Sequence, residues 1–156
     1  MAIEIGLLAD RPELIGQLAR AYEAAWPGWY GPGSQGDARA DLEARSRQDG
    51  IPCALVAVDG AIAVGACALA RESMSRSLET GAWLVGLWVR PSHRRQGLAT
   101  RLLHAAVDCA ATRRVADLRA GTQTPGLFEQ AGWTREGVFE HDGRAIELFA
   151  VRPGQA

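Results

Sequence analysis

The chain has 156 residues, the length of one ordinary domain, and at 47% hydrophobic residues it can bury a sizeable core. Its formal charge of -1, from 17 basic and 18 acidic residues, gives no global field to steer it onto nucleic acid or an anionic membrane, so any anion site has to be local. Every Lys/Arg-type residue is arginine and asparagine is absent, which excludes a phosphate-binding lysine, a Schiff-base lysine and an N-glycosylation acceptor.

At the N-terminus, "AIEIGLL" (residues 2–8) alternates enough to predict a first strand. Asp10 is expected to cap a helix whose first turn holds Pro12 and Glu13, with Leu14, Leu18, Ala21, Tyr22 and Ala25 at helical spacing. The opening segment has no basic flank and no cleavage pattern, so it does not read as a signal peptide. No window holds the roughly 18 uninterrupted apolar residues of a membrane span, and a soluble, cytoplasmic protein is expected. "WPGWYGPGSQGD" reads as a loop with Trp26, Trp29 and Tyr30 as its aromatic content, followed by a mostly polar helix from about Asp37 to Gln48.

"CALVAV", the turn at Asp59 and Gly60, and "AIAVGACALA" predict a hairpin. "AWLVGLWV", Ala82 to Val89, is apolar on both faces and therefore central in a sheet; its interior Gly86 suggests a bulge. A helix is expected from Gly97 to Ala111, a short strand at "VADLRA", a short helix from Pro125 to Ala131, and a second hairpin turning at Asp142 and Gly143. The economical solution is a mixed α/β sheet with helices on both faces, forming a single domain over residues 1–156. Cys53, Cys67 and Cys109 lie far apart in apolar runs and read as buried small hydrophobes in a reducing compartment. His93, His104 and His141 show no ligand spacing with them, so no metal site is expected.

The stretch "RPSHRRQGLATRLL" (90–103) carries the chemistry. A strand that runs through a loop into a helix leaves backbone N–H groups unpaired at the positive end of the helix dipole, which makes an anion site. Gly97 admits an anion to the backbone, Ala99 keeps the first turn thin, and Arg90, Arg94 and Arg95 add charge around the same point. The bland alternative is a loop made soluble by its arginines.

With the segment "WLVGLWVRPSHRRQGLATRLL" in view, the sequence resembles the GNAT superfamily of N-acetyltransferases. Arg94, Gly97 and Ala99 match its Q/R-x-x-G-x-G/A signature, and "TPGLFEQAGW" resembles its Y-x-x-x-G-F/W element at Phe128, Gly132 and Trp133. The resemblance implies a mostly antiparallel sheet of about seven strands with a splayed central pair. It also implies that acetyl-CoA is the cofactor, its pyrophosphate on the backbone of Arg94, Arg95, Gln96, Gly97, Leu98, Ala99 and Thr100. The pantetheine arm would lie along the bulged strand end at Gly86, Leu87, Trp88 and Val89, with the N–H of Leu87 or Val89 polarising the thioester carbonyl.

The residues depart from the family pattern at the chemistry. The family's usual tyrosine acid is replaced by Phe128, which has no proton to give, with Tyr30 and Thr124 as substitutes. The predicted central strand contains no acid, so Glu79, just before it, is the candidate base. Trp26, Trp29 and Tyr30 are candidates to line the acceptor pocket or, equally, to plug the core. Two readings stay open: an acetyl-CoA-dependent N-acetyltransferase acting on a primary amine of a small molecule or peptide, and a catalytically weak acyl-CoA-binding sensor or interaction module on the same fold. A homodimer is consistent with the resemblance.

Overall fold

The structure, a computed structural model, describes residues 2–73, 76, 77 and 81–155. The elements follow in the order β1 (Glu4–Leu7), α1 (Ile15–Ala25), α2 (Pro27–Tyr30), α3 (Ala38–Ala44), β2 (Cys53–Asp59), β3 (Ile62–Ala70), β4 (Glu72–Ser73), β5 (Arg76–Ser77), β6 (Ala82–Val89), α4 (Leu98–Thr112), β7 (Leu118–Thr122), α5 (Pro125–Gln130), β8 (Thr134–His141) and β9 (Arg144–Val151). Seven strands form one sheet in the order β1-β2-β3-β6-β7-β9-β8, and β4 and β5 form a separate ribbon. The sheet is antiparallel except at β6 and β7, whose parallel pairing requires a crossover that α4 provides.

Side chains of successive strand residues feed opposite faces, and both faces are covered. Leu55, Ala57, Cys67, Leu69 and Leu84 pack against Leu98, Leu102, Leu103 and Ala106 of α4 and Phe128 of α5. The intervening residues Val56, Val58, Ala66, Ala68 and Trp88 pack against Leu18 and Tyr22 of α1 and Leu42 of α3. Two buried faces explain why β2 and β3 read as continuous apolar runs. The expected mixed sheet with helices on both faces is the observed architecture.

The N-terminal helix begins later than its pattern suggests. Asp10 caps nothing: it ends a short 3-10 turn, Leu8–Asp10, and its carboxylate accepts a 2.6 Å hydrogen bond from Gln48 Nε2. Pro12 opens a second such turn, and the α-helical ladder starts only at Ile15. The second helix stops at Ala44 instead of Gln48, although Asp37 does cap it by accepting from the Ala40 N–H at 3.0 Å. Within the aromatic loop Pro27 starts a single turn, α2.

Two irregularities at the centre of the sheet position the site. β6 and β7 pair only at Ala82 with Leu118 and at Trp83 with Arg119, and the register with β7 goes no further along β6. On its other side β6 pairs Trp88 with Ala66 but Val85 with Ala68, so Gly86 and Leu87 lie opposite the single residue Cys67. This is a bulge at the predicted glycine, and Gly86 has φ +62°, which a residue with a side chain adopts only under strain.

Candidate functional site

The end of β6 leads through a 3-10 turn, Pro91–His93, into the loop before α4. Arg95 and Gly97 both have left-handed φ, 61° and 79°, a setting in which successive N–H groups converge on an anion. No side chain caps α4. Arg101 is the first residue of the helix whose N–H reaches a carbonyl, Gly97 O at 3.1 Å, so the amides of Leu98, Ala99 and Thr100 ahead of it have no intrahelical partner. A Cβ added at Gly97 would meet nothing within 4 Å. The mouth of the helix is therefore open, lined by backbone donors, and flanked by the exposed residues Arg94, Arg95 and Gln96.

Side chains fix this loop to the sheet. Arg94 Nε donates to Val89 O at 3.0 Å, and Arg90 donates to Ala63 O from Nε and Nη2 at 3.0 and 2.8 Å. His93 Nε2 lies 3.0 Å from Asp59 Oδ2 at the hairpin turn, with Ser92 Oγ 2.8 Å from its Nδ1. The Arg90 N–H donates to Val64 O at 2.7 Å, so strand alternation turns the N–H of Val89 the other way, into the space between β6 and β7. Trp88 is paired with Ala66 of β3 and its side chain is only 6% exposed, so its indole packs in the core below the site.

Behind the bulge stands an aromatic wall. The Tyr22 hydroxyl donates to Gly86 O at 2.6 Å, and its ring meets Trp26 edge-on at 4.9 Å and stacks with Tyr30 at 6.0 Å. The Tyr30 hydroxyl donates to Asp41 Oδ2 at 2.6 Å. Burial pushes the Tyr22 phenol well up, against the pull of the Arg45 cation. Burial and the bond to Asp41 push Tyr30 up to about 12. Both phenols are neutral donors at physiological pH, and neither is poised as a base. Of the three predicted aromatic residues, Trp26 and Tyr30 join this wall, while Trp29 is 52% exposed and its ring meets that of Tyr30 edge-on at 6.4 Å.

Phe128 is 3% exposed, with Trp133 edge-on at 5.1 Å and Phe149 stacked at 5.7 Å, so the position of the missing tyrosine is a core position here. The Thr124 hydroxyl lies 3.0 Å from that of Thr122, which also accepts the Thr124 N–H. Glu79 lies outside the described residues. The sequence reading missed Tyr22, Arg45 and the tie from His93 to Asp59. Tyr22 falls on the apolar stripe of its helix and carries no local sign that its hydroxyl meets a bulge sixty-odd residues away.

A model of the acetyltransferase (GNAT) family matches residues 18–133. No curated protein sequence matches this chain significantly. Among solved structures, an aminoglycoside 6'-N-acetyltransferase complexed with coenzyme A superposes with a TM-score of 0.76 at 19% identity, covering 98% of this chain and 97% of that one. The aminoglycoside 6'-N-acetyltransferase from Enterococcus faecium gives 0.75 at 20% identity over 98% and 97%. The yncA protein of Salmonella typhimurium, solved with its cofactor acetyl-CoA, gives 0.76 at 20% identity over 98% and 95%. At these identities the likeness to the solved structures is one of fold.

Proposed function

The chain belongs to the acetyltransferase (GNAT) family, and we propose that it moves an acetyl group from acetyl-CoA to a primary amine of a small molecule or peptide by direct transfer. The observation that carries this reading is that a strand bulged at Gly86, and paired to its neighbour for only two residues, runs into an uncapped helix mouth at Gly97. The residues fit acetyl-CoA in two places. The unpartnered amides of Leu98, Ala99 and Thr100, with open space before Gly97, suit a pyrophosphate, and Arg94, Arg95 and Gln96 border them. The edge of β6 at Leu87 and Val89, which β7 does not pair and where Arg94 takes the Val89 carbonyl, offers N–H groups to the amides of the pantetheine arm.

When bound, acetyl-CoA supplies an activated acetyl thioester. The protein contributes orientation, which holds an amine and a carbonyl at reacting distance. Backbone N–H groups at Leu87 or Val89 are the donors available to polarise a carbonyl in the gap. Tyr22 keeps those donors in place by holding the Gly86 carbonyl on the far side of the strand. Phe128 donates no proton, and a thiol with a pKa of about 8.5 departs as the anion. The missing acid, worth roughly a hundred- to ten-thousandfold where present, makes this a slower enzyme. The buried Phe128 also supports the second reading, an acyl-CoA-binding module with little turnover.

Thermal unfolding with acetyl-CoA, with ATP as the control, tests the ligand. At a hundred times its dissociation constant a ligand stabilises by about 2.7 kcal/mol, roughly 5 to 10 °C for a chain of this size. A shift that ATP does not reproduce, with thiol release in the presence of amines, is the expected result. A shift without release on any amine would favour the binding module, and no shift at millimolar acetyl-CoA would overturn both.

A further inference from the structure

Beside the bulge, on the face opposite α4, lies a cation with one nitrogen that finds no acceptor among the described residues. Arg45 follows α3 directly, and its guanidinium reaches the strand: Nη1 lies 3.5 Å from where a Cβ on Gly86 would stand, next to the Tyr22 hydroxyl at 3.0 Å from the same point. That nitrogen is shut off from solvent and has no hydrogen-bond partner among the described residues, although Arg45 as a whole is partly exposed. A desolvated guanidinium N–H without an acceptor is unfavourable, and proteins keep few of them. The carboxylate held among the neighbouring rings, Asp41, is engaged by Tyr30 at 2.6 Å, and the described residues include no ion pair between it and Arg45.

We infer that the acceptor is an amine that carries a carboxylate close to its amino group, an α-amino acid being the simplest case, and that Arg45 binds this carboxylate beside Gly86. The inference rests on the acetyltransfer reading of the same site. A carboxylate seated beside the bulge meets the partly exposed guanidinium, a fork of donors shaped for it, and Nη1 gains its missing acceptor once the side chain turns it outward. The wall of Tyr22, Trp26 and Tyr30 beside it offers apolar and aromatic surface to the rest of the molecule. A polycation such as an aminoglycoside, the acceptor named for two of the structural neighbours, would instead bring positive charge against the Arg45 guanidinium.

The test compares α-amino acids with the amines that lack only the carboxylate, leucine against isoamylamine and phenylalanine against phenethylamine across a panel, with an aminoglycoside as a third arm. Binding is followed by tryptophan fluorescence with and without coenzyme A, and transfer by thiol release from acetyl-CoA. At least one amino acid should bind and react with a KM roughly ten- to a hundredfold below that of its decarboxylated partner. Arg45→Gln should erase that preference through KM with kcat little changed, and Arg45→Lys should restore part of it. The inference is overturned if no carboxylated amine binds in either state, if the decarboxylated amines or the aminoglycoside are preferred, or if Arg45→Gln lowers kcat equally for every acceptor. The last outcome would place Arg45 on the thioester carbonyl. The acetyl-CoA melting shift keeps the two readings apart: a shift with no carboxylate preference sinks only the acceptor assignment, and no shift sinks the acetyltransfer reading itself.

Discussion

Gly97 combines a left-handed φ of 79° with open space where a side chain would point. Valine there would add about 1 to 2 kcal/mol of backbone strain and put two methyl groups into the path of an anion approaching the Leu98, Ala99 and Thr100 amides. Gly97→Val should therefore melt a few degrees lower and lose the stabilisation by acetyl-CoA; a folded variant with an unchanged ligand-induced shift would show that the anion is held elsewhere. Tyr22 acts from the other side of the sheet. Phenylalanine in its place keeps the packing with Trp26 and Tyr30 and removes only the donor to Gly86 O, leaving that carbonyl unmet at a cost of about 1 to 3 kcal/mol. Unfolding of Tyr22→Phe is expected roughly 2 to 10 °C lower, with a fall in kcat larger than any change in KM for acetyl-CoA, since the bulge and not the helix mouth is disturbed. Equal loss in both parameters would mean that the bulge does not orient the reaction. Gly97 was legible in the sequence because glycine, arginine and helix start stand in one local string. Tyr22 was not, because its role is a contact between α1 and β6 that only the packed sheet creates.

Elements differ in how openly they announce themselves. β6 occupies the predicted span, Ala82–Val89, because an apolar run with an interior glycine and a following proline leaves few alternatives. The start of α1 was misplaced by its own capping signals, since Asp10 is drawn off to Gln48 and Pro12 favours a 3-10 turn. The 3-10 turn Pro91–His93 is held to the β2–β3 hairpin by the bond between His93 Nε2 and Asp59 Oδ2, two side chains 21% and 18% exposed. If that tie sets the loop for the pyrophosphate, Asp59→Ala frees the turn while leaving the bulge intact. A hydrogen bond worth roughly 0.5 to 1.5 kcal/mol translates into a three- to tenfold rise in KM for acetyl-CoA, with kcat within about twofold. Steady-state kinetics on the variant checks this, and an unchanged KM would mean that the loop is held by the arginine contacts to Val89 and Ala63 alone.

The whole molecule closes on itself through residues that the sequence shows only as isolated small hydrophobes. Cys53 of β2 and Cys109 of α4 bring their sulfurs to 3.8 Å, and Arg113 Nη1 donates to Cys109 Sγ at 2.9 Å while its other nitrogens donate to the carbonyls of Gly50 and Gln48. Burial of all three cysteines agrees with the sequence reading; the pairing does not follow from it, since α4 must dock on the sheet before residues 53 and 109 meet. The Cys53 thiol donating to Cys109, with the Arg113 cation beside it, outweighs burial and brings Cys109 down from 9.0 to about 7, while the same bond and burial push Cys53 far up. The two shifts act on stability with opposite signs. From about pH 7 to the ordinary thiol range the folded pair holds one proton fewer than the unfolded chain, so stability rises with pH. Above that range the unfolded chain sheds both thiol protons, the folded Cys53 keeps its own, and stability falls. The difference in Tm between the natural chain and Cys109→Ala, followed from pH 6 to 10, should therefore rise and then level off near the ordinary thiol value, because the buried Cys53 keeps its proton in both proteins. Arg113→Gln should shrink the rising limb by withdrawing the cation. A difference that is flat or falls steadily across the range would mean that Cys109 stays a neutral thiol, and that the arginine serves only to pin the loop at Gln48 and Gly50 to the end of α4.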